Sequence, residues 1–307
     1  MRALIVTSMY PSPQRPALGG FVRDQVEALR RIGSAEIEVF AFAPGDATQY
    51  VRAATELRSR HGGDRFDIVH SHFGLTAWPA FAACGKARAV TLHGTDLEHP
   101  RSRAITLAAL PFQDLVATVS GTLARRVPAW APRGMTAVLP CGVNVDRFRP
   151  IPRERARAEL GLDPDGPYLL FPADPGRAEK RHDRALAVAG DVGVLALQNV
   201  DPEEVPLWVN SANAVLVPSD RESFGLAVLE ALACDVPVLA TAVGIAPTAL
   251  AGVEGALCAP FDAARWRRAL EPHLAAADPR IDGRAHAEEF SAELMAGRVL
   301  AAWEALV

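Results

Sequence analysis

Two glutamates stand eight positions apart in a largely apolar stretch, residues 215–241, with the sequence VLVPSDRESFGLAVLEALACDVPVLAT. Glu222 follows a predicted strand, whereas Glu230 lies on the helix that comes after it. Because the neighbours of Glu230 at three and four positions are not polar, a buried carboxylate there needs partners. A carboxylate accepts two hydrogen bonds at once, as the two hydroxyls of a ribose would offer. The pattern favours a ligand-binding Glu230, with a solvated helix carboxylate as the alternative.

The residues between the two glutamates offer backbone groups to a ligand. A helix predicted to begin near Phe224 leaves N–H groups without helical partners, and such groups favour an anion or sugar hydroxyls. Gly225 has no Cβ, so a ligand can approach the backbone closely there. The segment 223–226 is therefore a predicted site for a phosphate or a sugar.

Other polar residues follow predicted strands, and in open parallel sheets ligands bind beyond the carboxyl ends of the strands. This rule selects Gly19, Gly20, His70, His72, His93, Asp96, Ser120 and Lys180. Simpler roles compete with binding at several of these positions. Ser120 also fits a helix N-cap. His70 and His72 share a face of one strand, but no third ligand stands at a spacing suited to zinc.

The elements that must position these residues are short apolar strands that alternate with helical patterns. The first half contains ALIVTS, AEIEVFAFA, DIVHSHF, ARAVTLHG, DLVATVS and TAVLP, and the second half YLLFPAD, VGVLALQ, AVLVPS, VPVLAT and GALCAP. Such alternation predicts parallel sheets with right-handed crossovers. We therefore predict an α/β protein with two Rossmann-like domains, 1–150 and 151–285. A new helix starts near Arg153, and a long helical pattern within 286–307 closes the chain.

Composition narrows the class of protein. The chain has 307 residues, half of them hydrophobic, which suits two domains, and its net charge of −4 argues against a general nucleic-acid binder. The four cysteines form no CxxC pair and predict free thiols in a reducing compartment. The short apolar run at the N-terminus predicts a strand rather than a signal peptide. A cytoplasmic enzyme is the expectation.

These motifs resemble those of the family 4 retaining glycosyltransferases (glycosyl transferases group 1), which have the GT-B fold. ESFGLAVLEALACDVPVLAT is similar to the family's E-x7-E region, TLHGTD to its N-domain histidine motif and AEKRHDRALAVA to its E-K-G segment. Gly19–Gly20 matches a glycine pair after the first strand, and PCGVNVDRFRP is similar to the segment before the second domain. FSAELMAGRVLAAWEAL resembles a helix that returns to the first domain. The resemblance implies two parallel-sheet domains that face each other across a cleft.

The resemblance also implies a reaction, namely transfer of a sugar from a nucleotide-diphosphate donor to a hydroxyl of a glycan, lipid or natural product. It implies no cofactor and no metal, and a front-face attack without an enzyme nucleophile. The catalytic residues would be His93, Lys180 and Glu222. The donor contacts would be Gly19, Gly20, Arg177, Lys180, Glu222, Ser223, Phe224, Gly225, Leu226 and Glu230. Contacts on the acceptor side are expected at His72, Asp96 and Ser120.

The sequence departs from the family pattern at several positions. Asp174 stands near the usual arginine, which Arg177 would replace, and Asp235 and Thr248 occupy the places of a glycine and a common glutamate. These departures leave open a non-catalytic homologue that binds nucleotide sugar or a partner subunit. Because a fold does not fix a function, a sugar-nucleotide epimerase or phosphorylase on the same fold is a second alternative. The choice between UDP and GDP, the acceptor and the oligomeric state stay open.

A basic surface is expected on the first domain. Five arginines contribute to it: Arg101, Arg103, Arg125, Arg126 and Arg133. By resemblance to family members with lipid acceptors, this surface implies a peripheral contact with the inner face of an anionic membrane. A composition rich in alanine and arginine is compatible with a bacterium of high GC content.

Overall fold

The computed structural model describes the whole chain, from residue 1 to residue 307. Its strands are β1 (Arg2–Thr7), β2 (Glu36–Ala41), β3 (Arg65–His72), β4 (Cys84–Leu92), β5 (Leu115–Thr118), β6 (Met135–Val138), β7 (Tyr168–Phe171), β8 (Gly193–Ala196), β9 (Ala214–Val217), β10 (Val238–Ala240) and β11 (Leu257–Cys258). Each strand coincides with one of the predicted apolar runs, so the predicted α/β class is confirmed.

The first seven helices are α1 (Gly20–Ile32), α2 (Ala47–His61), α3 (Ala77–Ala80), α4 (Thr95–Glu98), α5 (Pro100–Ala109), α6 (Gly121–Ala124) and α7 (Arg153–Leu160). The other seven are α8 (His182–Ala189), α9 (Val205–Ser211), α10 (Leu226–Ala233), α11 (Ala246–Ala249), α12 (Ala263–Ala275), α13 (Arg284–Glu288) and α14 (Ala292–Glu304). None of these helices is both long enough and apolar enough to cross a bilayer.

The chain divides into two compact units. The first comprises Met1–Pro13, Leu18–Gly142 and Ala292–Val307, and the second comprises Gln14–Ala17 and Val143–Ser291. The second unit thus begins before the prolines at 150 and 152 that served as the predicted boundary. The predicted boundaries after residues 150 and 285 lie after residues 142 and 291 in these units, and residues 14–17, predicted inside the first domain, belong to the second unit.

Two arginines explain why the segment before Pro150 belongs to the second unit. Arg284 donates to the carbonyls of Val145 and Phe148 at 2.9 and 3.1 Å. Arg280 donates to the carbonyl of Ile151 at 2.6 Å. Hydrogen bonds from a charged donor are stronger than neutral ones, so these contacts bind the segment to the second unit before its first helix begins.

The first unit is built on a six-stranded parallel sheet with the order β2-β1-β3-β4-β5-β6. Ala3 and Ile5 of β1 belong to one apolar core, and Leu4 and Val6 belong to another. This division follows from the alternation of side chains along a strand, which places successive residues on opposite faces of the sheet. The strand order reverses between β1 and β3, and the carboxyl ends of those two strands are where such sheets bind ligands.

The helical pattern that closes the chain is interrupted, contrary to our prediction of one long helix. α13 ends at Glu288 and α14 begins at Ala292. Between them, the carbonyl of Phe290 accepts a hydrogen bond from the N–H of Val143 at 2.9 Å, and Ser291 pairs with Val143 in an isolated bridge. These backbone bonds replace helical ones, so the helix stops there.

Helix α14 packs against the first unit. Its buried side chains include Ala296, Val299 and Trp303, which join the core that also contains Val22 and Leu29 of α1. Trp303 has no solvent exposure. Burial of apolar area of this size stabilises the position of the helix, so α14 is an integral layer of the first unit.

The second unit contains a five-stranded parallel sheet with the order β11-β10-β9-β7-β8. Its core includes Leu169 and Phe171 of β7, Leu216 of β9, Leu239 of β10 and Trp266 of α12. Here the strand order reverses between β7 and β9. The loops that follow these two strands carry the residues described next.

Candidate functional site

A partly buried ion pair lies beyond the carboxyl ends of β7 and β9 in the second unit. Lys180 ends a 3-10 turn, Ala178–Lys180, and its Nζ lies 2.7 and 2.6 Å from the two carboxylate oxygens of Glu222. Their side chains are only 15% and 9% exposed. Ser219 donates its Oγ–H to Glu222 Oε1 at 2.7 Å. An ion pair with so little water around it is strong, and a second anion would compete for the same ammonium.

The loops that carry this pair are tied together. The N–H of Asp220 donates to the carbonyl of Glu179 at 2.9 Å. Thr241 donates to the carbonyl of Ser219 at 2.5 Å. Arg181, in the left-handed region at φ 59°, contacts the Asp220 carboxylate at 3.2 Å. Left-handed backbone is costly for a residue with a Cβ, and these bonds hold it beside Lys180.

The backbone between the two glutamates leaves the helical region at Gly225. Helix α10 begins at Leu226, two residues later than predicted, because Gly225 adopts φ 94° and so lies outside the helical region. No side chain caps the first turn of α10. The Phe224 side chain is buried at 5% exposure, and its carbonyl accepts the Ile245 N–H at 2.6 Å. The backbone of 223–226 is therefore the part of this segment that can face a ligand.

Glu230 lies in α10 and is partly buried. Burial raises the pKa of the Cys234 thiol to about 12, and the negative charge of Glu230 acts in the same direction. The carboxylate is thus close to one of the apolar neighbours that the helical spacing predicted. Its contact with a ribose stays a prediction.

Arg177 and Asp174 lie on the loop before Lys180. Arg177 is 52% exposed and pairs with Glu179 at 2.7 Å. Exposed pairs of this kind contribute little free energy, so the guanidinium can exchange Glu179 for another anion. Asp174 accepts the Gly176 N–H at 2.8 Å and shapes the turn. The Asp174 carboxylate therefore shapes the loop and does not perform the role of the family's usual arginine. A contact between Arg177 and a diphosphate stays a prediction.

The loop after β1 in the first unit requires a glycine. Gly19 has φ 70°, and a Cβ built on it would lie 2.3 Å from the backbone carbon and oxygen of Met9. Gly20 begins α1 directly after it. No other residue type fits at Gly19 without displacing the loop. The glycine pair thus sets where α1 starts and which side chains that helix presents.

Three histidine rings stack at the carboxyl ends of β3 and β4. The ring centroids of His70 and His72 are 4.8 Å apart, those of His72 and His93 are 5.3 Å apart, and both pairs are nearly parallel. Phe21 of α1 contacts His93 at 4.9 Å. The spacing of His70 and His72 on one face of β3 therefore serves to build a stack.

The ring nitrogens of His70 and His72 are all hydrogen-bonded. Trp303 and Thr91 contact His70 at 3.0 and 2.8 Å. Gln25 and His93 contact His72 at 3.3 and 3.1 Å. Burial holds the pKa of His72 at about 4 and those of His70 and His93 well below the ordinary value. The stack is therefore neutral at pH 7.

Asp96 and Ser120, both predicted on the acceptor side, contact the backbone. Asp96 is fully buried and accepts N–H groups of Gly74, His93 and Gly94 at 3.2, 3.0 and 2.8 Å. Burial raises the pKa of its carboxyl. Ser120 accepts the Leu123 N–H at 3.2 Å and caps α6. Asp96 thus fixes the backbone at His93, and acceptor contacts of both residues stay predictions.

Several residues that support the site were not predicted. Gln25 contacts His72, Ser219 contacts Glu222 and Trp303 contacts His70, whereas Thr241 supports Ser219. Thr241 and Trp303 lie in segments that resemble family motifs, but those motifs assign them no role. Trp303 lies 233 positions from its partner His70. Only the position of Gln25 carries a signal, since it follows Phe21 by four residues and thus shares a face of α1 with it.

Comparisons with known proteins identify the family of this chain. Residues 4–147 match the family model "Glycosyltransferase Family 4", and residues 155–282 match "Glycosyl transferases group 1". A D-inositol 3-phosphate glycosyltransferase of Frankia alni is 30% identical, over 71% of this chain and 68% of its own length. One of Streptomyces avermitilis is 30% identical, over 80% of this chain and 67% of its own length.

Solved structures share the fold. Sucrose-phosphate synthase of Thermosynechococcus elongatus superposes with a TM-score of 0.72 and 21% identity, covering 100% of this chain and 99% of its own. HepE of Anabaena, solved in complex with UDP and glucose, superposes with a TM-score of 0.72 and 14% identity, covering 99% of this chain and 100% of its own. The chain therefore belongs to the family 4 glycosyltransferases and is an enzyme with the GT-B fold.

Proposed function

We propose that this glycosyltransferase moves a sugar from a nucleotide-diphosphate donor to a hydroxyl acceptor, with retention of configuration. The observation that carries the proposal is the partly buried Lys180–Glu222 pair beside the uncapped start of α10. A cation and free N–H groups at one place suit a diphosphate. HepE, a structural neighbour, is solved with UDP and with UDP-glucose, which supports a donor of this class.

The residues of the second unit have distinct roles in this proposal. Lys180 and the backbone N–H groups of 223–226 neutralise the charge that develops on the departing diphosphate, a stabilisation that acts in the transition state. Glu222 and Gly225 position the donor sugar, and Glu230 accepts hydrogen bonds from the ribose. Arg177 adds a further contact to the diphosphate. Because Lys180, Arg177 and the backbone N–H groups supply the positive charge that the diphosphate needs, the proposed reaction uses no metal and no cofactor.

The first unit supplies the remaining groups. His93 donates a hydrogen bond to the sugar, and the tight loop at Gly19–Gly20 allows a close approach to the donor. His72, Asp96 and Ser120 belong to the acceptor side. In the reaction, the bond from the anomeric carbon to the phosphate oxygen breaks, and the acceptor oxygen bonds to that carbon on the same face. The acceptor proton passes to the departing phosphate, so no carboxylate nucleophile is needed.

Two of the departures from the family pattern, Asp235 and Thr248, are not part of this proposed machinery. Asp235, where the family has a glycine, adopts φ 54° and accepts the N–H groups of Gly283 and Arg284 at 3.1 and 2.8 Å. The carboxylate thus caps α13 in the left-handed conformation that a glycine favours. Thr248 is exposed on the short helix α11. Neither residue contacts the Lys180–Glu222 pair through a hydrogen bond.

Thermal melting against nucleotides tests the donor class first. The protein is melted with UDP, GDP, ADP and dTDP and with their common sugar conjugates. Binding to the native state stabilises it by about 2.7 kcal/mol when the ligand is at a hundred times its Kd. We expect one nucleotide series to raise the Tm of the native protein and to lose its effect in the Glu230→Ala variant. A Tm that stays at the value of the nucleotide-free protein with every nucleotide would contradict the proposal.

Product analysis then separates transfer from epimerisation. The nucleotide sugar that raises the Tm is incubated alone and with a panel of hydroxyl acceptors. We expect a glycoside of retained configuration and a free nucleoside diphosphate only when an acceptor is present. A new sugar nucleotide formed without any acceptor would support the epimerase instead.

We also propose a peripheral contact with an anionic membrane, at its inner face, for a cytoplasmic enzyme. Residues 121–135 hold three arginines and no acidic residue. Trp130 in this segment is 71% exposed. Its neighbours Ala129 and Pro132 line an apolar cavity of about 380 Å³ against β5 and β6. An exposed indole among arginines suits the lipid interface, because the ring is amphipathic and anionic headgroups attract the cations.

Flotation with lipid vesicles tests this contact. We expect the protein to float with vesicles that contain phosphatidylglycerol and not with pure phosphatidylcholine. Trp130→Ser should reduce binding about tenfold, because it removes one aromatic anchor. Trp78→Ser is the matched control, since Trp78 is 40% exposed but donates its Nε1–H to the Ile105 carbonyl at 3.1 Å. Equal binding of the two variants would refute a role of the Trp130 segment.

A further inference from the structure

The hydrogen bonds around the histidine stack determine where each ring carries its proton. The indole N–H of Trp303 can only donate, so His70 Nδ1 must accept at 3.0 Å. A ring that accepts through Nδ1 is neutral and carries its proton on Nε2. His70 therefore donates through Nε2 to Thr91 Oγ1 at 2.8 Å. One tautomer of His70 is fixed by this geometry.

A second chain of bonds begins at Gln25 on α1. Its Nε2 lies 3.3 Å from His72 Nε2, and an amide nitrogen can only donate. His72 therefore accepts through Nε2, carries its proton on Nδ1 and donates to His93 Nε2 at 3.1 Å. His93 accepts through Nε2 in turn, which leaves its proton on Nδ1.

The surroundings hold this chain in place. His72 has no solvent exposure, so a charge on its ring would be costly, and the ring stacks between His70 and His93. Phe21, one helical turn before Gln25, packs on the His93 ring at 4.9 Å. Asp96 fixes the N–H of His93 at 3.0 Å. His93 is partly exposed as a residue, whereas His70 and His72 have no exposure.

We propose that Gln25 is a positioning residue that fixes the tautomer of His93 through His72. His93 then offers an N–H donor at Nδ1 and no basic lone pair, so it binds an electron-rich oxygen of the ligand and does not act as a general base. The identity of that ligand rests on the proposed function, whereas the tautomer does not. Reversal of the Gln25 amide would reverse every bond in the chain, so this one side chain decides the outcome.

NMR of the ring nitrogens tests the proposal without any substrate. In protein labelled with ¹⁵N-histidine, the two tautomers give different ¹⁵N shifts, and single substitutions assign the rings. We expect Nδ1–H at His72 and His93 and Nε2–H at His70. A wild-type His93 with its proton on Nε2, or a mixture of both forms, would overturn the proposal.

Two variants probe the separate chains. In Gln25→Glu the carboxylate can only accept, so the proton of His72 should move to Nε2 and that of His93 to Nε2, while His70 stays unchanged. In Trp303→Phe only His70 loses the donor that fixes its tautomer, so His72 and His93 should keep their protons on Nδ1. A Gln25→Glu protein in which His93 keeps Nδ1–H would contradict the assignment.

Turnover then connects the tautomer with the reaction. We expect Gln25→Glu to lower kcat about tenfold with little change in KM for the donor, the cost of about one transition-state hydrogen bond. Gln25→Lys, which again presents only a donor, should recover the wild-type tautomer of His93 and much of kcat. If no nucleotide binds, the proposed function fails while the NMR result still decides the tautomer. Equal kcat for a reversed tautomer would show that His93 does not need its Nδ1–H.

Discussion

The two units hold their candidate site residues by different physical means. In the second unit, the ammonium of Lys180 faces the carboxylate of Glu222 with 15% and 9% exposure of the two side chains. In the first unit, His70, His72 and His93 form a stack of neutral rings that are joined to uncharged donors. The ion pair concentrates charge at one point, which would suit the diphosphate of the proposed donor. Each neutral ring has one donor and one acceptor, so the stack fixes the direction of its hydrogen bonds.

The largest effect is expected when the charged site loses its cation. Lys180→Met removes the group proposed to neutralise the leaving diphosphate, so turnover should fall about 1,000-fold. It also leaves the Glu222 carboxylate buried without its partner, which costs about 3 kcal/mol of unfolding free energy. Activity assays and urea denaturation measure the two effects.

A double variant separates those effects. Lys180→Met combined with Glu222→Gln has no uncompensated charge, so stability should return while turnover stays low. Recovery of both quantities would mean that the pair serves the fold alone, and the contrast between the two units would lose its functional meaning.

Glu230 tests whether the second unit also recognises the nucleoside. Glu230→Ala should lower nucleotide affinity about 100-fold, since a carboxylate that accepts two hydroxyl bonds contributes about 3 kcal/mol. Calorimetric titration with the nucleotide found by melting gives the Kd. Glu230→Gln keeps the shape of the side chain and loses its charge, so its nucleotide affinity should lie between those of the wild type and Glu230→Ala. Unchanged affinity in a folded Glu230→Ala protein would remove the ribose assignment.

Acid should affect the neutral stack. The pKa of His72 is depressed to about 4 in the folded protein from an ordinary value of 6.5. Between these two pKa values the unfolded chain binds more protons than the folded protein. The contribution of neutral His72 to the free energy of unfolding is therefore complete above pH 6.5 and is lost as the pH falls toward 4. The loss for one such histidine is roughly 3 kcal/mol.

Denaturation midpoints between pH 4 and 7 measure this loss. His72→Gln cannot titrate, so its stability should vary less with pH than that of the wild type. A variant with the same pH dependence as the wild type would show that other groups cause the acid sensitivity and that the stack is not maintained by neutrality.

His93 should show the smallest effect. His93→Ala should leave nucleotide affinity unchanged and lower turnover about tenfold, because it removes one proposed hydrogen bond to the sugar. His99→Ala is the control, as His99 is exposed at the start of α5. Full activity of the His93 variant would make the stack purely structural.

The sequence by itself determined the architecture. Apolar runs that could be buried only in parallel sheets predicted the position of every strand from β1 to β11. Motif spacing singled out Glu222, Lys180 and His93 before any contact was known. The resemblance to the family also marked Gly19. The sequence did not give the physical reason for a glycine there, which is the close approach of the Met9 backbone. These features depend on local patterns, and local patterns are visible in one dimension.

The tertiary structure alone decided which residues act on one another. Lys180 and Glu222 are 42 positions apart, Gln25 and His72 are 47 apart, and Trp303 and His70 are 233 apart. The continuous helix predicted at the end of the chain was wrong, since backbone bonds to Val143 replace its helical bonds at 289–291. Hydrogen-bond partners, burial and tautomers depend on distances between segments, and no local pattern contains those distances.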